Sequence, residues 1–496
     1  MNTDERPRAG TGDTGVVETV PDPRRVAAAP GDAAPSTPNS PAAPALSWVD
    51  ADGIAARTGA VATVDPAARA LLADAPRRSP LRPGVLVPIT GLVLVALGYG
   101  VTTAVWPLNA VEPVASAVSF APAPAPAAAV TWPTAGSAAV SIAGIGTIAS
   151  SEERAPMASI TKLVTVLASF EKLPLQPGQD GATFAFTDTD SANYWSYLRN
   201  DESALDVPAG GSLTQYQLLE GILLGSANNY ADRLAREVWG SDADYAAAAN
   251  QWLRQHDLSD ITVTTPSGFD FGNVATPRAL IELGQLAVHN PVIAEIVKKK
   301  SVELPGAGTV TNTNGLIDDA GIIGIKTGTI GDGDDTRYNL LSGMDVTDGS
   351  TTVRVYATVL GEPSDAARVD ASRRLYADVE AALKNQPQTV VKGTTLGTVD
   401  TAWGETTQVV AAKDARVVLW NGAAASGTTK FDLGDEWTAG ERAGELTLKG
   451  PLDSTSVPLT LRTALHGPSL WWRLTHPLEL FGLDEDSPRA SASARG

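Results

Sequence analysis

The chain contains no cysteine in 496 residues. That excludes disulfides, thiolate nucleophiles and cysteine-ligated metals, and it suits an exported bacterial protein. Histidine is nearly as scarce. His256, His289, His466 and His476 are the only four, and none pairs with another at metal-ligand spacing, so each is read as a surface or packed residue. No cofactor or metal is expected. Positive charge is also thin: the net charge of −19 argues against nucleic acid as a partner. Between Arg82 and Arg154 there is no Lys or Arg at all.

What is present sorts into segments. Residues 1–84 are rich in Ala, Pro, Thr, Asp and Gly and poor in large apolar residues. They cannot bury enough surface to offset ordering entropy, so a disordered tail is expected. Residues 85–105 then run without a charge, long enough for a transmembrane helix at 1.5 Å per residue, and Pro88, Gly91, Gly98 and Gly100 are tolerable there. Arg77, Arg78 and Arg82 precede the span and no basic residue follows it until Arg154. The positive-inside rule therefore predicts a cytoplasmic N-terminus and an extracytoplasmic bulk. Residues 106–131, with an Ala-Pro alternation at 121–126, are expected to act as a semi-rigid linker.

Residues 132–384 carry a mixed pattern. A strand hairpin is expected over 138–148, and helices over 159–173, 213–224, 228–239, 244–256 and from Thr276-Pro277 to about 288. Strands follow at 337–344 and 351–360, then a closing helix over 364–383. Strands at both ends with helices between predict an α+β domain. Residues 385–465 hold short β-rich runs (408–411, 415–420, 445–448 and 456–461) separated by Gly, Asp and Pro, which predicts a small all-β sandwich or barrel. Residues 466–496 include Trp471-Trp472-Arg473-Leu474 and Leu478-Glu-Leu-Phe481, suited either to packing on the β-domain or to a membrane interface.

Three short segments stand out for chemistry: Ser159-Ile-Thr-Lys162, Ser226-Ala-Asn228 and Lys326-Thr-Gly328. A serine hydroxyl is a poor nucleophile until a base takes its proton. Ser159 and Lys162 are three apart on a helical pattern, hence on one face. Lysine can serve as that base if burial and a second cation lower its pKa, and Lys326 is the candidate cation. Decoys exist. Ser169-x-x-Lys172 lies at the wrong end of the same helix, and Ser191-Ala-Asn193 lacks the apolar helix that precedes Ser226. The Lys-Thr-Gly triplet follows the strand-like run Gly321–Ile325, and Gly328 permits close approach of a substrate backbone.

In this order the motifs resemble those of the low-molecular-mass penicillin-binding proteins, serine D-Ala-D-Ala carboxypeptidases of the penicilloyl-serine transferase superfamily. Pro156 to Thr165 is similar to that family's nucleophile helix, Ser226 to Asp232 to its second motif, Thr265 to Phe269 to the segment before a following helix, and Thr313 to Gly328 to the approach to its third motif. The resemblance implies a penicillin-binding-protein/β-lactamase-like transpeptidase domain. It makes Ser159 the acylated nucleophile and Lys162 its base, with Ser226 and Asn228 relaying protons and holding the substrate amide. Lys326 and Thr327 would bind a terminal carboxylate, with Gly328 giving substrate access, and the backbone N–H groups of Ser159 and Thr329 would form the oxyanion hole. The implied partners are peptidoglycan stem peptides ending in D-Ala-D-Ala, β-lactam antibiotics and the cytoplasmic membrane.

Some features depart from the family pattern. Asn229 stands where an aspartate often follows the second motif, and Thr329 replaces a frequent aromatic. Gly331-Asp-Gly-Asp-Asp335 reads as a solvated turn and does not match a calcium loop. A β-lactamase, an endopeptidase cutting crosslinks and a non-catalytic wall scaffold are the rival functions. Between the second and third motifs, Glu237, Glu282, Glu295 and Glu303 all lack an asparagine four residues on, so no class A β-lactamase base is evident. Glu202-Ser-Ala-Leu-Asp206 precedes Ser226 and is in the wrong order.

Overall fold

A computed structural model describes residues 83–331 and 335–484. The calls on the tail before residue 83, on Asp332–Asp334 of the acidic turn and on residues after 484 lie outside the described residues. The charge-free run forms a single helix, Pro83–Val105, of 23 residues, long and apolar enough to cross a membrane. Its side chains are almost all exposed.

A five-stranded antiparallel sheet organises the larger domain. Its order from one edge is Ile322–Ile330, Arg337–Asp348, Thr351–Glu362, Ser137–Ile142 and Gly146–Ala149. Two cores flank it. Ala139, Leu341 and Tyr356 face the larger, helical core, which holds the helices Thr161–Ser169, Gln215–Leu223, Asn228–Trp239 and Pro277–His289. Ala138, Val140, Leu340 and Val355 face the other, where the helix Asp365–Lys384 packs through Leu375, Tyr376 and Val379. Alternate residues of one strand thus serve opposite cores, as the two-residue period requires. With both faces covered, the strand centres 339–344 and 355–360 are buried residue after residue.

The expected nucleophile helix is shorter and differently begun than its sequence pattern implies. A 3-10 turn, Ala158–Ile160, leads into an α-helix that stops at Ser169. All nine helical residues are buried, so no polar face marks its end; the chain leaves the helix through a hydrogen-bonded turn over Phe170–Leu173 before Pro174. The expected helix over 213–224 begins two residues late, because Ser212–Thr214 pairs as a short strand with Thr183–Ala185 and Thr214 then caps the helix through a capping box with Gln217.

The second domain is one antiparallel sheet of six strands. Five come from the 395–461 region, and the sixth, Val114–Ala117, pairs with Thr395–Asp400 at one edge. The sheet curls: a Cβ on Gly397, second in the order, would lie 2.5 Å from the Phe431 ring of the opposite edge strand. The expected linker is therefore not a free tether. Val114–Ala117 is a sheet strand, and Ala125 is buried in this domain's core with its N–H on Ala423 O at 2.9 Å.

The run 415–420 is the other departure. Its alternation is real, since Val417 and Leu419 face the β-domain core and Val418 and Trp420 face the catalytic core. Yet it forms no strand beyond one bridge at Ala415, because side chains occupy its backbone groups. Gln386 accepts from Leu419 N at 3.1 Å and donates to Val417 O at 2.7 Å, and Asp453 accepts from Val418 N at 2.9 Å. Gln386→Leu strands a buried N–H and a buried C=O between the two cores. It is expected to cost about 2–4 kcal/mol, read as a lower urea midpoint with the m-value unchanged.

Candidate active site

The turn that carries Ser159 is strained into place. Ala158 sits at φ +53°, and its carbonyl accepts from Thr161 Oγ1 at 2.7 Å. Two glycines let neighbouring segments close on it. A Cβ on Gly268 (φ +79°) would come within 2.1 Å of Ala158 O, and one on Gly328 within 2.7 Å of Met157 O. Asn339 fixes the turn from below by donating to Pro156 O at 3.0 Å while accepting from Gly361 N at 2.8 Å. Ser159 is half-buried at this junction.

Lys162 is fully buried. Its Nζ lies 2.8 Å from Ser159 Oγ, 2.7 Å from Asn228 Oδ1 and 2.7 Å from Ser267 O. Two of these partners are carbonyls, which only accept. A neutral amine has two N–H groups and one lone pair, so with both N–H groups on the carbonyls the lone pair is left for the Ser159 hydroxyl proton. Burial pushes the Lys162 pKa down from 10.5 to about 7, while the carboxylates of Asp232 and Glu202 pull it back upward.

The second motif forms the turn between two helices. Ser226 stands at φ +59° and is buried, and Asn228 opens the helix Asn228–Trp239. The Asn228 amide is oriented from both ends, accepting from Lys162 and donating to Glu202 Oε2 at 2.8 Å. Asn229, the departure from the family pattern, has a structural task. It accepts from Leu205 N at 3.2 Å and donates to Leu205 O at 2.7 Å, a double pairing that an aspartate cannot make. With Asn228 N on Ser203 O at 2.8 Å, it clasps the Glu202 loop to the helix start.

The third motif lies on the edge strand Ile322–Ile330. Lys326 is buried, and among the described residues its Nζ has no hydrogen-bond partner. Burial, then the neighbouring Lys162 and Arg368 cations, hold its pKa well below the ordinary value. Thr327 Oγ1 meets Thr313 Oγ1 at 2.6 Å, Gly328 O accepts from Arg368 Nη1 at 2.9 Å, and Thr329 is exposed beyond it.

The eight sequence-selected residues thus fall in three segments that converge, and the decoys lie elsewhere. Ser169 Oγ donates to Val166 O at 2.7 Å, Lys172 reaches Val238 O at 3.1 Å, and Ser191 donates to Asp206 at 2.9 Å. The Ser267 carbonyl, Glu202, Asp232 and Arg368 escaped the sequence reading. Glu202 had been set aside on chain order, and a loop closure brings it back. Asp232 alone left a signal, being four residues after Asn228 and so on the same helical face. Burial pushes its pKa up to about 6, and it accepts from Tyr197 OH at 2.9 Å.

Residues 145–364 match the profile of a family described as D-alanyl-D-alanine carboxypeptidase. The chain is 33% identical over 133 residues to the D-alanyl-D-alanine carboxypeptidase DacB2 of Mycobacterium tuberculosis, covering 25% of this chain and 45% of that one. It is 25% identical over 228 residues to DacA of Haemophilus influenzae, covering 45% and 55%. The chain therefore spans about half the length of these curated relatives. Penicillin binding protein 5 from Haemophilus influenzae superposes with a TM-score of 0.45 at 18% identity, over 68% of this chain and 100% of that one.

Lys162 carries a stability consequence. Its proton is bound in the unfolded chain up to its ordinary pKa of 10.5 but in the folded one only to about 7. The cost of burying it is absent above pH 10.5 and grows as pH falls toward 7. Lys162→Met is expected to raise the denaturation midpoint at pH 7, with a gain that shrinks as pH approaches 10.5. A gain independent of pH contradicts this.

Proposed function

We propose that this chain, whose residues 145–364 match the D-alanyl-D-alanine carboxypeptidase profile, removes the terminal D-Ala from peptidoglycan stem peptides through an acyl-serine intermediate. The observation that carries the reading is the Lys162 amine, held on two carbonyls 2.7 Å away with Ser159 Oγ at 2.8 Å. The substrate's terminal carboxylate takes the place facing Lys326 and Thr327. Ser159 Oγ attacks the penultimate D-Ala carbonyl while its proton passes to Lys162. The developing oxyanion lies on the N–H groups of Ser159 and Thr329. The proton then moves by Lys162 and Ser226 to the departing D-Ala amine, with Asn228 holding the substrate amide, and water releases the shortened peptide. β-Lactams acylate the same serine. The helix Pro83–Val105 anchors the chain in the cytoplasmic membrane with a cytoplasmic N-terminus, a topology supported by the arginines before it and the absence of basic residues from 83 to 153.

Ser159→Ala is expected to abolish covalent labelling by fluorescent penicillin and Ser169→Ala to leave it intact. Mass spectrometry of the purified ectodomain with a pentapeptide ending in D-Ala-D-Ala should show loss of one alanine. Labelling retained in Ser159→Ala refutes the assignment. The benzylpenicillin adduct should persist for minutes, about 10²-fold or more beyond an enzyme with a placed deacylating base. Turnover abolished by Glu202→Gln would instead reveal Glu202 as such a base and favour the β-lactamase reading.

Acylation requires neutral Lys162, so its rate should fall about tenfold per pH unit well below the limb near pH 7. Asp232 holds that limb up by favouring the ammonium. Asp232→Asn should move the limb to lower pH, and an unmoved limb contradicts the coupling.

A further inference from the structure

Thr313 joins the second and third motifs directly. Its N–H donates to Leu224 O at 3.2 Å, and Leu224 closes the helix Gln215–Leu223 two residues before Ser226. Its hydroxyl meets that of Thr327 at 2.6 Å. Buried asparagines fix the chain on either side of it. Asn312 donates to Val297 O at 3.1 Å and to Lys299 O at 2.9 Å, and it accepts from Asn314 N at 3.0 Å. Asn314 in turn accepts from Leu316 N at 3.0 Å. Moving either asparagine would leave buried polar groups unpaired. Thr313 itself is exposed between them, so a rigid segment holds one open hydroxyl against the third-motif strand.

A pair of bonded hydroxyls carries two protons. One lies between the oxygens and the other stays free to donate. Either oxygen of this pair can be the donor, so the direction of the bond decides where the free O–H stands. Burial and charge both make Thr313 the donor. Thr327 is only 4% exposed, so its oxygen must find partners in the protein or in a ligand, whereas water serves the exposed Thr313. An anion beside Lys326 attracts an O–H and repels hydroxyl lone pairs. With Thr313 donating, Thr327 accepts on one side and keeps its own proton for the anion, and the two bonds in line polarise each other. In the reverse direction the Thr327 proton is spent on Thr313 and lone pairs face the anion.

We propose that Thr313 is a positioning residue for the substrate's terminal carboxylate: its hydroxyl donates to Thr327 Oγ1 and thereby commits the Thr327 proton to the carboxylate that faces Lys326. This rests on the carboxypeptidase reading of the site. The Lys162 amine bonds Ser159, Asn228 and Ser267, so activation of the nucleophile does not pass through Thr313. The carboxylate is held alike before and during attack on the peptide bond. Loss of the Thr313 hydroxyl therefore weakens binding of substrate and transition state together, which raises KM and spares kcat.

The test compares the full chain in detergent with Thr313→Val and Thr313→Ser. Valine keeps the shape and the backbone N–H on Leu224 but deletes the hydroxyl, and serine keeps the hydroxyl. Two probes separate the roles. A pentapeptide ending in D-Ala-D-Ala carries the carboxylate, whereas an alkyl fluorophosphonate reacts with an activated serine and carries none. Thr313→Val is expected to raise KM for the peptide about tenfold with kcat little changed, and to leave the rate of fluorophosphonate labelling at Ser159 unchanged. Thr313→Ser is expected to restore KM. An unchanged KM in Thr313→Val overturns the proposal. A labelling rate that falls along with peptide turnover overturns it too, since it marks a structural role. A KM in Thr313→Ser as high as in Thr313→Val does the same. KM does not depend on the fraction of chain that is folded, and Thr313→Ala, judged by the same two readouts, stands in should the valine variant not fold. These three outcomes leave the carboxypeptidase reading in place. Labelling at Ser159 of the unmodified chain without hydrolysis of the peptide overturns that reading and the proposal with it.

Discussion

One buried amine sets the terms for the rest of the larger domain. A lysine with no water contact is costly to keep charged, and the structure makes its neutral form productive by placing two carbonyl acceptors on it. Those acceptors arrive from distant segments: Asn228 from the start of one helix and Ser267 from a loop, with Ser159 one helical turn away. The amine holds three pieces of chain in register only if each is independently braced. The bracing is visible in the Asn229 clasp on Leu205, in Asn339 under the nucleophile turn, and in Arg368 under the third-motif strand.

The same convergence explains where backbone strain sits. Ala158 and Ser226 are both non-glycine residues at positive φ, one next to Ser159 and the other two residues before Asn228, both of which bond the amine. Such conformations cost about 1–3 kcal/mol each and persist only where packing over-determines them. Ala158 leads into a fully buried helix, and the close approaches of Gly268 and Gly328 to Ala158 and Met157 leave the turn no room to relax. The glycines and the strained residues are two halves of one constraint, in which segments must touch at backbone distance around a single reactive oxygen.

Much of this was legible in the residues. The three motifs, the order of the main helices and the charge-free span follow from spacing and composition, because each is a local pattern with its own periodicity or cap. The Asp365–Lys384 helix is an example, with Ser364 accepting from Ala367 N as its cap. What was not legible depends on tertiary closure. Glu202 reaches Asn228 only through a loop folded back on the second motif, and order along the chain says nothing of that. The run 415–420 has a strand's alternation but spends its hydrogen bonds on Gln386 and Asp453, a competition invisible to periodicity. Val114–Ala117 enters a sheet because a partner strand nearly three hundred residues away presents an open edge to it.

The two lysines of the site illustrate opposite uses of burial. Lys162 has partners at three oxygens and burial lowers its pKa to about 7, which suits the base role proposed for it. Lys326 has no partner among the described residues, so the same burial leaves a donor group in want of an anion. A polar group held unpaired in a buried place loses little when an anion arrives and stays unfavourable when a neutral group takes that position. In the proposed carboxypeptidase reading, a free carboxylate terminus relieves Lys326, whereas an amidated or extended one leaves its amine without a partner. On that reading, selectivity for chain ends over chain middles rests on one unpaired amine.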